Sequence, residues 1–269
     1  MHQAFEIKKV LTIATSDSGG GAGIQTDIKT ISALGAYATS VFAALTAQNT
    51  LGVQAIYELP LDFIGQQLDS VLSDIGTDAA KTGMLFSKEI VAFVAQKARE
   101  YKIPNLVVDP VMVATSGDVL LKPDAVDAYR KELLPQAFLA TPNRHEARIL
   151  SGLGLDSTDA VKEAARIIHG FGCPYVLIKG GHFNAQNSLV TDILYDGAVF
   201  HEYSAHYVDT NHTHGTGCTL SAALAAYLAL GLDIYTAVER SKVFITKAIE
   251  NCLCVGKGNG PTNPLKAFE

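Results

Sequence analysis

The residues best suited to chemistry in this sequence lie in the run THGTGCTLSAAL, where two glycines precede small apolar residues. The first amides of a helix have no acceptor within it, so Gly215, Thr216 and Gly217 predict an anion hole at a helix start. Cys218 falls in the first turn, where the helix field is expected to lower the thiol pKa and let it accept a proton. The alternative is that Cys218 only packs the helix start. The favoured chemistry is stabilisation of a transferring phosphoryl group.

A second glycine-rich run, SDSGGGAG at residues 16–23, is predicted to join a strand to a helix. Glycines at such a junction let backbone amides approach a ligand closely. The run does not fit the dinucleotide fingerprint, because the third glycine would fall on Ile24 or Thr26, and no G-K-[ST] follows for a P-loop. By itself the loop is either a tight turn or part of a substrate site.

Strands and helices are predicted to alternate along most of the chain. Buried strands are expected at residues 10–14, 37–47, 79–82, 137–141 and 175–179 and within LVVDP at residues 106–110, with Asp109 at its C-terminal end, and helices are expected between them. This alternation implies an α/β fold with a central, mainly parallel sheet flanked by helices. Asp196-Gly197, between two strand-like runs, predicts an antiparallel hairpin with a two-residue turn.

Composition narrows the class of protein. A chain of 269 residues that is 48% hydrophobic is expected to form one domain over residues 1–269. The net charge of -6, without a Lys/Arg cluster, argues against nucleic acid and anionic membranes as partners. Four unevenly spaced cysteines favour a reducing compartment. The N-terminal apolar run is too short to span a bilayer, so a cytoplasmic location is expected.

A family resemblance covers the whole chain. The ordered motifs are LTIATSDSGGGAGIQTDIKT, ALTAQNTLGV, AAKTGML, VVDPVM, TPNRHEA, LIKGGH, THGTGCTLSAAL and GKGNGP. They resemble the hydroxymethylpyrimidine and phosphomethylpyrimidine kinases of thiamine biosynthesis, close relatives of pyridoxal kinases in the ribokinase-like superfamily. The resemblance implies a three-layer α/β fold, a homodimer, and ATP with Mg2+ as phosphoryl donor. It also implies two successive phosphorylations of a small aminopyrimidine.

The resemblance assigns roles to the residues at the phosphoryl end of the site. Cys218 occupies the position of the general base, where sugar-kinase relatives carry Asp in a G-A-G-D motif. The amides of Gly215 to Cys218 would form the anion hole. Lys179, in LIKGGH, would reach the ATP phosphates, a task that suits a point charge on a flexible side chain.

Four further residues are assigned to ATP and metal in the same way. Asp109 and Glu146 would hold Mg2+, directly or through water, as hard carboxylate ligands. Asn143 in TPN would support the ATP site there, and His214 would shape the anion-hole loop. Without the resemblance, Asp109 would be interpreted as a strand-end cap and Glu146 as a solvated acid in a first helical turn.

Gln48 in TAQNT is the expected determinant of substrate choice. Its amide offers a hydrogen-bond acceptor and a donor side by side, which matches the ring nitrogen and exocyclic amine of an aminopyrimidine. Many pyridoxal-phosphorylating relatives have a methionine at the corresponding position, which could not form this pair. A pyridoxal kinase remains an alternative, as does a non-catalytic pyrimidine-binding protein of the same fold.

Other residues match substrate-lining positions or depart from the family pattern. Asp27 and Met84 match substrate-lining positions of the family. Without the resemblance, Asp27 would be interpreted as a surface residue of a helix and Met84 as part of the core. Thr15 departs from the family's usual glycine, so its side chain either narrows the pocket or contributes a hydroxyl hydrogen bond. Ala114 stands where some pyridoxal-preferring relatives have a second cysteine, which excludes a paired-thiol mechanism from that loop.

Overall fold

Nine strands form one sheet in the computed structural model of the chain, which describes residues 7–112, 125–180 and 189–267. In chain order the strands are β1 (Lys9–Asp17), β2 (Tyr37–Asn49), β3 (Gly52–Glu58), β4 (Ala79–Thr82), β5 (Leu106–Val108), β6 (Leu139–Ala140), β7 (Tyr175–Ile178), β8 (Leu189–Tyr195) and β9 (Phe200–His206). Their spatial order is β3-β2-β1-β4-β5-β6-β7-β8-β9. The six neighbouring strands β2, β1, β4, β5, β6 and β7 are parallel to one another. Each of β3, β8 and β9 pairs with its neighbours in the antiparallel sense.

The helices cover both faces of the sheet. They are α1 (Gly23–Ala33), α2 (Leu61–Asp74), α3 (Lys88–Glu100), α4 (Ala125–Ala128), α5 (Arg144–Ser151), α6 (Thr158–His169), α7 (Thr216–Ala229) and α8 (Ile234–Glu250). α4 continues into a π-helical turn at Tyr129–Leu133 and a 3-10 turn at Leu134–Gln136, and another 3-10 turn spans Pro264–Lys266. Within the described ranges, no helix is long and apolar enough to cross a membrane.

Alternating side chains of the central strands build two hydrophobic cores. Leu11 and Val108 belong to the cluster beneath α2 to α6, whereas their neighbours Val10 and Val107 belong to the cluster beneath α1, α7 and α8. Successive side chains of a strand point to opposite faces, so a strand covered on both sides is apolar at every position. The expected three-layer α/β architecture is confirmed.

Strand β3 was not predicted. It pairs with β2 as an antiparallel edge, with Ala44 opposite Glu58 and Asn49 opposite Gly52. Its alternation is weak, because both faces of this edge are largely exposed and little burial is available to select an apolar pattern.

The hairpin between β8 and β9 is confirmed, but its two-residue turn is not. Tyr195 pairs with Phe200, so four residues form the connection. The Asp196 carboxylate accepts hydrogen bonds from the amides of Ala198 and Val199 at 2.9 and 2.7 Å. A short aspartate side chain can hold a longer turn in this way, which the Asp-Gly pair does not reveal.

The carboxyl ends of the parallel strands gather polar residues, most of which the sequence singled out. Asp17 ends β1, Asp109 follows β5, and Lys179 follows β7. Asn143 comes after β6 and forms an isolated bridge with Lys179. Because parallel strands end at one edge of the sheet, residues far apart in sequence meet there.

Candidate active site at the carboxyl edge of the sheet

Helix α7 begins with amides directed at the carboxyl edge. Gly215 is its N-cap with φ 79°, a conformation that favours glycine. Within the described part of the chain, the amides of Gly217 and Cys218 have no hydrogen-bond acceptor. The Thr216 amide instead donates to the carbonyl of Thr213 at 3.2 Å. The turn before the helix thus already satisfies the Thr216 amide, whereas the next two amides are available to an anion.

Gly217 lies directly over a buried ion pair. The Lys179 ammonium is 2.7 Å from Asp109 Oδ1. A Cβ atom added at Gly217 would sit 3.4 Å from Lys179 Nζ and 3.6 Å from Asp109 Oδ2. The Ser221 hydroxyl, one turn into α7 and not predicted, lies 3.2 Å from Asp109 Oδ2 and 2.9 Å from the carbonyl oxygen of Gly217. The glycine thus leaves room for an anion between free helix amides and a lysine.

Glu146 joins this group from the start of α5. Asn143 caps the helix and accepts from the Glu146 amide at 2.9 Å, while Glu146 Oε2 accepts from the Asn143 amide at 2.7 Å. This reciprocal capping box holds Glu146 4.0 Å from Lys179 Nζ. The carboxylate is buried, so the alternative of a solvated first-turn acid is wrong.

Burial sets the ionisation of Glu146. It raises the pKa of the carboxyl group to about 7; the Lys179 ammonium opposes this shift and the Asp109 carboxylate adds to it. No cluster of three or more potential metal ligands of the Cys, His, Asp or Glu types occurs in the described ranges. Two carboxylates nevertheless fit Mg2+, which commonly takes one or two protein carboxylates and completes its shell with water and substrate phosphates.

The Cys218 thiol does not have the lowered pKa that its place in the first turn predicted. Burial raises its pKa to about 11, and the carboxylates of Asp27 and Asp109 act in the same direction. The Lys81 ammonium and the Gly23 amide oppose the shift without cancelling it. A helix start lowers a thiol pKa only when desolvation is small, and here desolvation is the larger effect. The thiol is therefore protonated near neutral pH.

Asp27 is fully buried, so its interpretation as a surface residue is wrong. Its carboxylate pairs with Lys81 Nζ at 2.9 and 3.0 Å and accepts the Thr12 hydroxyl at 2.6 Å. Lys81 was not predicted, although a lysine inside the four-residue buried strand β4 is a recognisable signal. In the structure as it stands, Asp27 contributes charge beneath the site and does not reach its surface.

His214 and Gln48 lie close together next to Asp17, at the end of β1. His214 Nε2 is 2.8 Å from Asp17 Oδ2 and 3.3 Å from Gln48 Nε2. The expected role of His214 in shaping its loop is compatible with this position, but its ring contacts the first glycine loop. A Cβ at Gly21 would lie 2.5 Å from that ring. Asp17, which the sequence did not single out, connects the two glycine runs.

The Thr15 hydroxyl donates to the carbonyl of Met84 at 2.9 Å. Of the two alternatives for Thr15, the structure therefore shows a hydroxyl hydrogen bond, made to the backbone. Met84 is buried, with 8% of its surface exposed. Ala114 lies outside the described residues.

Comparison with known proteins identifies the family. A family model described as phosphomethylpyrimidine kinase matches residues 17–263. The chain belongs to this family. The resemblance found in the motifs is thereby confirmed, and the protein is a phosphotransferase.

Relatives of the family agree over nearly the whole chain. The thiamine biosynthesis bifunctional protein ThiED of Geobacter sulfurreducens is 48% identical over 98% of this chain, which spans 54% of that protein. The hydroxymethylpyrimidine/phosphomethylpyrimidine kinase of Bacillus subtilis is 45% identical over 96% of this chain and 95% of its own length. The solved pyridoxal kinase of Staphylococcus aureus, in complex with AMP-PCP and pyridoxal, superposes with a TM-score of 0.89 at 38% identity, covering 97% of this chain and 94% of that one.

Proposed function

We propose that the protein transfers the γ-phosphoryl group of ATP to 4-amino-5-hydroxymethyl-2-methylpyrimidine and then to its monophosphate, in thiamine biosynthesis. The observation that carries the proposal is the space at Gly217, bounded by free amides of α7 and by Lys179 beside Asp109. Its substrates are those named for the Bacillus subtilis relative, which this chain covers almost completely. The AMP-PCP complex of the pyridoxal kinase supports ATP as donor.

Charge stabilisation is the main contribution of the site. In a loose transition state the charge spreads over the transferring oxygens, and the amides of Gly217 and Cys218 with the Lys179 ammonium would meet it. Asp109 and Glu146 would hold Mg2+, which when bound neutralises phosphate charge. A pKa of about 7 lets Glu146 ionise when a cation approaches.

Cys218 is the proposed acceptor of the hydroxyl proton. Because its pKa is about 11, only a small thiolate fraction serves near neutral pH. A loose transition state asks little of a base, so this fraction suffices for slow turnover. The Lys81 ammonium favours the thiolate.

A pyridoxal kinase is the second candidate, because the superposition with the Staphylococcus aureus enzyme is close. Gln48 distinguishes the two, since its amide pairs with an aminopyrimidine edge. The non-catalytic pyrimidine-binding alternative is disfavoured by the assembled Lys179, Asp109 and Glu146.

The test is ADP release from MgATP with the pyrimidine alcohol, its monophosphate or pyridoxal, with products identified by mass. Turnover of both pyrimidines and little of pyridoxal is expected. Preference for pyridoxal would overturn the proposed substrate. No ADP release with any of the three compounds would favour the non-catalytic pyrimidine-binding protein.

We also propose a homodimer formed through the β2–β3 edge. Apolar side chains are exposed along it and beside it: Leu45 by 41%, Leu51 by 65%, Tyr57 by 65% and Phe63 by 50%. An apolar patch next to an unpaired edge strand is typical of an interface.

A single domain over residues 1–269 is supported by the continuous sheet, and a cytoplasmic location by four free cysteines.

A further inference from the structure

The Asp17 carboxylate determines which atom of His214 carries a proton. Asp17 is 3% exposed and accepts amide hydrogen bonds from Gly19, Gly21 and Ala22 at 2.7 to 3.0 Å. His214 Nε2 lies 2.8 Å from Asp17 Oδ2. An ionised carboxylate can only accept, so His214 Nε2 carries a hydrogen and is a donor.

The Thr46 hydroxyl is constrained in the same way. Thr46 Oγ1 donates its single proton to the carbonyl of Ser16 at 2.9 Å. Towards a second partner, the oxygen can therefore only accept. That partner is the Gln48 side chain, whose Oε1 lies 3.2 Å from Thr46 Oγ1 and whose Nε2 lies 3.3 Å from His214 Nε2.

With this orientation of the amide, a donor would face a donor and an acceptor would face an acceptor. Amide nitrogen and oxygen are told apart by their hydrogen-bond partners. After a rotation of 180°, Gln48 Nε2 can donate to Thr46 Oγ1, and Gln48 Oε1 can share the single Nε2 hydrogen of His214 with Asp17 in a three-centre bond. We propose that His214 and Thr46 are positioning residues that fix the polarity of the Gln48 amide, with its oxygen towards His214 and its nitrogen towards Thr46.

The backbone of Gln48 leaves little other freedom. Its amide donates to the Ser18 hydroxyl at 2.8 Å, and its carbonyl accepts from the same hydroxyl at 2.9 Å. The pairing of β2 with β3 shifts register between Ala47 and Gln48, a bulge of the kind that redirects side chains beside sites. Side-chain polarity is thus the property that the network decides.

This polarity selects substrates, an inference that rests on the proposed function. The remaining lone pair of Gln48 Oε1 requires a donor on the His214 side, and the second N–H requires an acceptor on the Thr46 side. An exocyclic amine next to a ring nitrogen meets both. The 4-oxo analogue, with a carbonyl next to a ring N–H, presents the reverse order and is rejected.

Amide polarity can be measured without any substrate. In isotope-labelled protein, the Gln48 side-chain NH2 resonances are assigned by their loss in Gln48→Met. A nuclear Overhauser effect from these protons to the Thr46 methyl group is expected. An effect to the His214 ring protons, with none to Thr46, would overturn the proposal whatever the substrate proves to be.

Substrate discrimination supplies the second measurement. The ratio of kcat/KM for the 4-amino pyrimidine to that for its 4-oxo analogue is compared in wild type, His214→Phe and Thr46→Val. Thr39→Val is the matched control, because Thr39 is a buried threonine of β2 whose hydroxyl is directed at Val10. The ratio is expected to fall roughly threefold to tenfold in each test variant, as for one lost hydrogen bond, and to stay unchanged in the control.

An unchanged ratio in both test variants would contradict the inference, because a structural defect alone lowers the use of both substrates equally. His214→Gln, whose amide can still donate to Gln48, is expected to restore part of the ratio. If wild type phosphorylates neither pyrimidine, the proposed function fails, while the resonance experiment still decides the polarity.

Discussion

Single side chains in this site owe their properties to burial as much as to their neighbours. Cys218 has a raised pKa of about 11, and Glu146 one of about 7. In both cases desolvation is the largest cause, so each group favours its neutral form before substrates arrive. Proton exchange should therefore accompany both metal binding and catalysis.

Cys218→Ala is expected to lower kcat roughly a hundredfold to ten-thousandfold, as is usual for loss of a general base. Binding of ATP, measured by calorimetry, should persist. In wild type kcat/KM should rise with pH towards the thiol pKa of about 11, because the thiolate is the active form. Unaltered turnover, or the same pH profile in the variant, would remove Cys218 from the role of base.

Glu146→Gln should change the pH dependence of stability in metal-free protein. The folded pKa of about 7 exceeds the unfolded value of 4.5, so the folded state binds more protons between these pH values. Stability is therefore lost as pH rises through this window, by about 3 kcal/mol in all. The variant lacks this loss and should exceed wild type at pH 8 but not at pH 4.5, as measured by urea unfolding.

Glu163→Gln is the matched control for that experiment, since Glu163 forms only a surface ion pair with Arg166. A constant difference between wild type and Glu146→Gln across pH would show that Glu146 ionises normally.

At the scale of elements, the start of α7 and the end of β7 define the phosphoryl site. Gly217 has no side chain to fill the space over Lys179 and Asp109. Gly217→Ala should therefore reduce kcat/KM for ATP at least about tenfold, while the melting temperature stays level or rises, because alanine favours helix. Gly154→Ala is the control, since a Cβ there meets only the Asp156 carboxylate at 3.5 Å. Wild-type kinetics in Gly217→Ala would refute the assignment of the anion hole to the start of α7.

The buried pair of Asp27 and Lys81 joins α1 to β4. Both side chains have zero exposure, so removing one partner leaves an uncompensated buried charge. Lys81→Met should cost about 3–5 kcal/mol of unfolding free energy, and Lys81→Met with Asp27→Leu should cost much less than the sum of the single changes. Additive losses in urea unfolding would indicate that the pair is not coupled.

At the scale of the whole molecule, the proposed dimer depends on an apolar edge. Tyr57, 65% exposed on β3, should be covered in a dimer. Tyr57→Glu is expected to shift the sedimentation coefficient from dimer to monomer, since a charge at the centre of an apolar interface is costly to desolvate. A wild-type monomer, or a variant that still dimerises, would place the interface elsewhere or exclude it.

Much of the fold could be predicted from the sequence, because its central strands are buried on both faces. Strand β4 was predicted at its observed bounds, and the strand within LVVDP ends directly before Asp109. The exposed edge strand β3 left no such pattern. The four-residue turn at Asp196 was missed because side-chain hydrogen bonds decide its length.

By itself the sequence determined the parallel sheet and, through its ordered motifs, the family, and the family resemblance implied that Lys179, Asp109 and Glu146 meet at one site. Only the tertiary structure decided the ionisation of Cys218, the buried pairing of Asp27 with Lys81, and the contact of His214 with Asp17. Such properties depend on how much water each group loses and on which distant groups replace it. Both are set by packing between segments remote in sequence, which local patterns do not record.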